Sequence, residues 1–130
     1  MPVKKNKTDE LKRIFREIKI LLKKYEPPFS SRINTDSKYD LWSENEMTVL
    51  GKKKKEMFFA ATQIQSNYVG FYFMPVYENE NMKRIFKKEL LSLLKGKSCF
   101  HIKNFDRAVL TQIKDILKSG LNQYKKNGWV

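Results

Sequence analysis

Apolar residues along this chain follow two rhythms, and the changes between them mark out its elements. In residues 8–25, TDELKRIFREIKILLKKY, apolar side chains recur at three- and four-residue spacing: Leu11, Ile14, Phe15, Ile18, Leu21, Leu22 and Tyr25. That spacing lays one apolar stripe along an amphipathic helix. Thr8 suits its N-cap, Asp9 and Glu10 its first turn, and Lys23 and Lys24 its last. Pro27 and Pro28 end it. The stretch FSSRINTDS, rich in turn formers, reads as a loop.

The rhythm then shortens. Tyr39–Ser43, Met47–Leu50, Met57–Gln65 and Tyr68–Val76 read as strands, with GKKKKE (51–56) as a charged connection. Their short polar links predict an antiparallel meander. Helical spacing returns at Met82, Ile85, Phe86, Leu90, Leu93 and Leu94, with Gly96 as the stop. SCFHIK (98–103) alternates as a strand, and Asp106 caps a last helix carrying Leu110, Ile113, Leu117, Leu121 and Tyr124. Gly120 weakens that helix, and KKNGWV is expected to fray while Trp129 packs back. The order α-β-β-β-β-α-β-α predicts one α+β domain over residues 1–130, with residues 1–7 as a flexible basic tail. An antiparallel sheet of about five strands with helices packed on one face is the natural solution.

The link Ser66–Asn67 has the length of a tight hairpin, which sets Ile64 opposite Val69, Gln63 opposite Gly70 and Thr62 opposite Phe71. Opposed residues share a face and each strand alternates. One face therefore collects Phe58, Ala60, Thr62, Ile64, Val69, Phe71 and Phe73, almost wholly apolar and suited to the core. The other collects Phe59, Ala61, Gln63, Gln65, Tyr68, Gly70, Tyr72 and Met74, with Gly70 leaving a shallow hollow between the tyrosines. Pro75, lacking an N–H, belongs at the strand's end or on an edge.

Charge changes the picture of partners. The chain holds 27 Lys and Arg against 14 Asp and Glu, a formal +13, distributed as +5 over residues 1–30, +1 over 31–67 and +7 over 68–130. That excess favours an anionic partner or nucleic acid. Lys83, Arg84, Lys87 and Lys88 place like charges at i,i+4 on one helix face, where a polyanion would relieve repulsion. Cys99 is the only cysteine, so neither an internal disulfide nor a multi-cysteine metal site can form. No secretory pattern and no run of eighteen apolar residues is present. A cytoplasmic protein without a membrane span, monomeric or homodimeric, is expected.

Catalytic chemistry finds little footing. Cys99, His101 and Lys103 share one face of their strand, but no acid lies near in sequence to orient the imidazole. Glu78 and Glu80 suit a helix entry better than acid–base work, and the five glycines are scattered singly. No enzyme activity, cofactor or metal is expected. The RNP1 pattern aligns on Gly70, Phe71 and Phe73 but fails at Val69, Tyr72 and Val76, and its matched phenylalanines are those the register buries.

The run MFFAATQIQSNYVGFYFMPVY (57–77), with the lysine-rich leucine segment after it and KGKSCFHIKN (95–104), carries a resemblance. Phe59-Ala60-Ala61, Gly70-Phe71-Tyr72, Met74-Pro75 and Gly96-Lys97 are similar to the pattern of the YdhG-like family of small bacterial domains of uncharacterised function. The resemblance covers roughly residues 38–126 and implies a frataxin-like architecture and a role in intracellular iron handling. Frataxin-like iron binding uses acidic residues on the first helix, whereas here Asp9, Glu10 and Glu17 stand among Lys7, Lys12, Arg13, Arg16, Lys19, Lys23 and Lys24. No iron ligands are therefore carried over. The sequence points to a non-enzymatic binding or accessory domain with Gln63, Gln65, Tyr68, Tyr72, His101 and Lys103 as its candidate surface. Nucleic-acid binding through the lysine clusters is the alternative, and iron handling a further one.

Overall fold

The computed structural model describes residues 7–130; of the tail expected over residues 1–7, residues 1–6 lie outside them and Lys7 instead opens a helix. Helix α1 spans Lys7–Lys23 and buries Leu11, Ile14, Phe15, Ile18 and Leu22, the stripe read from the sequence. The strands are β1 (Lys38–Ser43), β2 (Met47–Val49), β3 (Lys52–Lys54), β4 (Met57–Ile64), β5 (Val69–Phe73), β6 (Leu94–Lys95) and β7 (Cys99–Ile102). A five-stranded antiparallel sheet runs in the order β1-β4-β5-β7-β6, while β2 and β3 form a separate two-stranded hairpin. The fold is therefore α+β, as the element order predicts.

Three boundaries differ from expectation. The lysine run is not a connection: Lys52–Lys54 pair with Met47–Val49, so Met47–Val49 leaves the main sheet and β1 pairs with β4 instead. The strand expected to run to Val76 stops at Phe73, and Met74–Glu78 forms the short helix α2. Pro75 sits in its first turn, where a missing N–H removes no helical bond. The helix expected over 82–94 is broken. Residues Glu80–Ile85 form a 3₁₀ turn, Lys88–Leu91 the short helix α3, and Leu94–Lys95 an edge strand. Phe86 takes an extended conformation between them and buries its ring against Phe100 at 5.5 Å and Phe73 at 6.4 Å. Core burial of that ring overrides helical continuity.

Helix α4 (Arg107–Lys126) starts where expected, with Asp106 Oδ1 accepting from the Ala108 N–H at 2.9 Å. Its Tyr124 hydroxyl donates to the Phe58 carbonyl at 2.6 Å. Trp129 packs back onto Tyr124, donates through Nε1 to the Thr48 carbonyl at 3.3 Å, and its own carbonyl accepts from Ser43 Oγ.

The β4–β5 register is the expected one: Ile64 faces Val69, Gln63 faces Gly70 and Thr62 faces Phe71. Val69, Phe71, Phe73, Phe100 and Ala60 are fully buried beneath α1 and α4. The expected parity fails at one end of β4. The register against β1 jumps from Leu41↔Ala60 to Trp42↔Phe58, leaving Phe59 as a bulged residue. Phe59 turns into the core, stacked on Phe29 at 4.1 Å and edge-on to Tyr124 at 5.2 Å. Phe58 goes to the opposite face, edge-on to Trp42 at 5.3 Å. The expected places of Phe58 and Phe59 are thus exchanged.

Candidate functional site

Strand parity and register assign the side chains of the face away from α1 and α4. One row across the sheet reads Asp40, Ala61, Tyr72, Cys99, Lys95, and the next reads Lys38, Gln63, Gly70, His101. Gln65 and Tyr68 close the hairpin, where the Gln65 N–H donates to the Tyr68 carbonyl at 2.8 Å. Lys103, exposed, continues the β7 parity. The six candidate residues Gln63, Gln65, Tyr68, Tyr72, His101 and Lys103 are thus brought to one face. The tyrosines, glutamines and histidine are half-buried.

The rings on this face are held in place. Tyr68 stacks on His101 with centroids 3.9 Å and planes 14° apart. Tyr72 lies back over Gly70, so close that a β-carbon there would stand 2.9 Å from its hydroxyl. The expected hollow at Gly70 is therefore filled by the Tyr72 ring. Gln65 Nε2 donates to that hydroxyl at 3.4 Å, and the Cys99 thiol lies beside it. Burial raises the pKa of the Tyr72 phenol and of the Cys99 thiol above their ordinary values. A thiol kept protonated is a poor nucleophile. His101 is engaged by Tyr68 rather than aimed at Cys99.

At the far end of the same face stand two residues the sequence reading did not select, Trp42 and Phe58. Trp42 has the parity of Asp40, whose Oδ2 accepts from the indole N–H at 3.0 Å. Asp40 Oδ1 accepts from the backbone N–H groups of Arg32 at 2.8 Å and Ile33 at 2.9 Å. The Arg32 guanidinium lies 4.3 Å from the Trp42 ring centroid and is ion-paired to Glu56 and Glu44. Trp42, Phe58, Met74 and Tyr77 line an open cleft of about 580 Å³ with Lys54, Lys55, Met57, Glu56 and Glu78. The parity of Trp42 with Asp40 was readable. The bulge that delivers Phe58 was not.

The rings of this face form a track across β1, β4, β5 and β7 that spans about 23 Å between the levels of Phe58 and Gln65. Lys38, Lys95 and Lys103 stand on its face by register, and Lys97 lies 5.5 Å from the Tyr77 ring. Asp40 is the one carboxylate that strand parity places there among the described residues, and its oxygens are occupied by backbone and indole N–H groups. Every buried side-chain polar atom among the described residues has a partner. The face therefore offers ring surfaces rather than an unsatisfied polar pocket, with lysines on the strands and a mixed border of Lys54, Lys55, Glu56 and Glu78 at the Trp42–Phe58 cleft. No group of three or more His, Cys, Asp or Glu among the described residues is placed to hold a metal ion.

The second candidate set does not form the expected array. Lys83 and Arg84 lie on the 3₁₀ turn, Lys87 precedes α3 and Lys88 opens it. With Phe86 extended between them, their i,i+4 spacing no longer stacks like charges on one helix face. No helix among the described residues is long and apolar enough to cross a membrane. No family model, curated protein or solved structure matches the chain.

Proposed function

We propose that the chain is a non-enzymatic YdhG-like binding domain that takes single-stranded nucleic acid along the open face of its sheet. The observation that carries this is the composition of that face: Trp42, Phe58, Tyr72, Tyr68 and His101 share it, lysines stand beside them, and its single strand carboxylate is engaged by backbone and indole N–H groups. Aromatic platforms with a cationic border bind single strands with little sequence preference, because every base has a π-face. Stacking contributes about 1–3 kcal/mol per base. Lysines neutralise phosphates and make the affinity steeply salt-dependent. This unites the aromatic-face and lysine readings of the sequence, but moves the lysines that matter to Lys38, Lys95, Lys103, Lys54 and Lys55.

Fluorescence anisotropy of a labelled oligothymidine strand tests it. Binding is expected with a log–log salt slope of about −3, from four or five phosphate contacts at about −0.7 each. Tyr68→Ala and Tyr72→Ala should each weaken binding about tenfold or more, consistent with lost stacking. Absence of binding at low salt, or binding indifferent to both tyrosines, would refute the reading.

A further inference from the structure

The β2–β3 hairpin carries an arrangement that the fold does not require. Its strands pair Met47 with Lys54, Thr48 with Lys53 and Val49 with Lys52. Leu50 and Gly51 turn between them at φ 53° and 78°. Positive values at both positions belong to a type I′ turn, whose favoured pair is asparagine then glycine. A leucine there is held in the left-handed region against its own Cβ, and it stands 91% exposed at the tip. Meanwhile the base of the arm is fixed. Met47 and Val49 are buried, and the Thr48 carbonyl accepts from the Trp129 indole. Lys52, Lys53, Lys54 and Lys55 are all exposed. Lys54 and Lys55 line the same cleft as Trp42 and Phe58, so the arm stands at one end of the aromatic track.

We infer that this hairpin is a pin for the junction between a single strand and a duplex, with Leu50 set against the terminal base pair and Lys52–Lys55 on the flanking phosphates. The inference rests on the sheet-face reading: the unpaired strand follows the track and the duplex begins at the arm. Apolar side chains inserted between base steps are a general means of unstacking them, and a β-ribbon is one of the elements that enters DNA grooves. Strain plus exposure at one leucine marks a residue kept for a contact outside the fold. Charge agrees: of the two acids flanking the lysine run, Glu56 is ion-paired to Arg32, which leaves Glu46 against four lysines. An anionic lipid surface is the competing occupant for an apolar tip among lysines.

The test uses the full chain with three labelled oligonucleotides: an oligothymidine strand, the same strand continued into a duplex stem, and the blunt stem alone. The junction should bind about tenfold more tightly than the bare strand, the effect of burying most of one leucine. Leu50→Asn suits the turn and should fold at least as stably, with an unchanged or raised Tm, yet it should bring the junction down to the affinity of the bare strand. Equal binding of strand and junction, or a junction preference that survives Leu50→Asn, overturns the pin and leaves the sheet-face reading standing. Failure to bind any oligonucleotide removes both. Leu50-dependent sedimentation with phosphatidylserine vesicles, without a junction preference, overturns the pin in favour of a lipid contact.

Discussion

Replacing Gly120 with alanine sets two well-measured effects against each other, and the structure decides the sign. Gly120 lies buried in the interior of α4, where glycine costs about 1 kcal/mol relative to alanine. Propensity alone therefore expects Gly120→Ala to stabilise the protein by that amount. The neighbours say otherwise. A β-carbon at this position would stand 2.7 Å from Phe73 Cζ, 2.9 Å from Phe73 Cε1 and 2.9 Å from Pro75 Cγ. Carbon atoms pack at about 3.5–4.0 Å, so one side must yield by about 1 Å. Phe73 is fully buried among Phe59, Phe71 and Phe86, and Pro75 is a rigid ring in the first turn of α2. Overpacking of this kind costs about 1–3 kcal/mol, and neighbours without a free rotamer belong at the upper end.

The net expectation is destabilisation of about 1–2 kcal/mol. Urea unfolding followed by circular dichroism reads this as a lower midpoint at unchanged m. In a Phe73→Leu background the clash is relieved, so Gly120→Ala should cost less there, or turn stabilising, a non-additivity that a double-mutant cycle measures. A stabilised Gly120→Ala single variant, or strict additivity with Phe73→Leu, would show that α4 does not approach the sheet this closely.

Gly70→Ala makes the opposite comparison. Its new methyl meets the outer end of the Tyr72 ring, a half-buried side chain that can swing outward, so stability should change by less than about 1 kcal/mol while oligothymidine affinity falls as the ring leaves the position in which Gln65 holds it; unchanged affinity would refute the role of Tyr72. Asp40→Ala strips the partner from two backbone N–H groups and the Trp42 indole, which should cost about 2–4 kcal/mol in urea unfolding and blue-shift or quench little unless Trp42 moves; a cost under about 1 kcal/mol would contradict the bonding pattern. At alkaline pH, burial, reinforced by the charge of Glu78, raises the pKa of the Tyr124 phenol, and burial raises Tyr25, Tyr72 and Cys99. A raised folded pKa means stability present below the unfolded value and lost as pH climbs above it, so unfolding free energy should decline above about pH 9–10. Tyr124→Phe, less stable at neutral pH for want of the bond to Phe58, should show a flatter decline; an identical slope would count against a buried neutral phenol.

The β4–β5 hairpin was legible because a two-residue link and alternating apolar positions agree on one register, which also set Gln63, Gln65, Tyr68 and Tyr72 on one face; His101 joins them through the β5–β7 pairing. The bulge at Phe59 was not, since no glycine or proline marks it. It follows from closing β1 against β4 while tucking a phenylalanine under Phe29 and Tyr124. The β2–β3 hairpin was hidden for a different reason. Lysine has low strand propensity and Leu-Gly is not a turn signal, so pairing there depends on Met47 and Val49 burying beside Trp129, a tertiary effect. Likewise, the spacing over 82–94 satisfies a helix, but Phe86 gains more from the core than its backbone loses by breaking the ladder.

The strength of the proposed binding depends on how little the rings of the face have left to lose. Tyr72 is held by Gly70, Gln65 and Cys99, Tyr68 by His101, and Trp42 by Asp40 and Arg32. A side chain already ordered gives up about 0.5–1.5 kcal/mol less on binding than a free one, so fixed rings retain more of each stacking energy. None of these holders reads a base edge. Satisfied polar atoms and ring surfaces favour a flat ligand of any sequence, and the lysines select for its charge. Under the proposed reading, discrimination comes from the shape of the nucleic acid rather than its letters. The feature at the end of the track that can respond to shape is the strained, exposed Leu50 on its lysine arm.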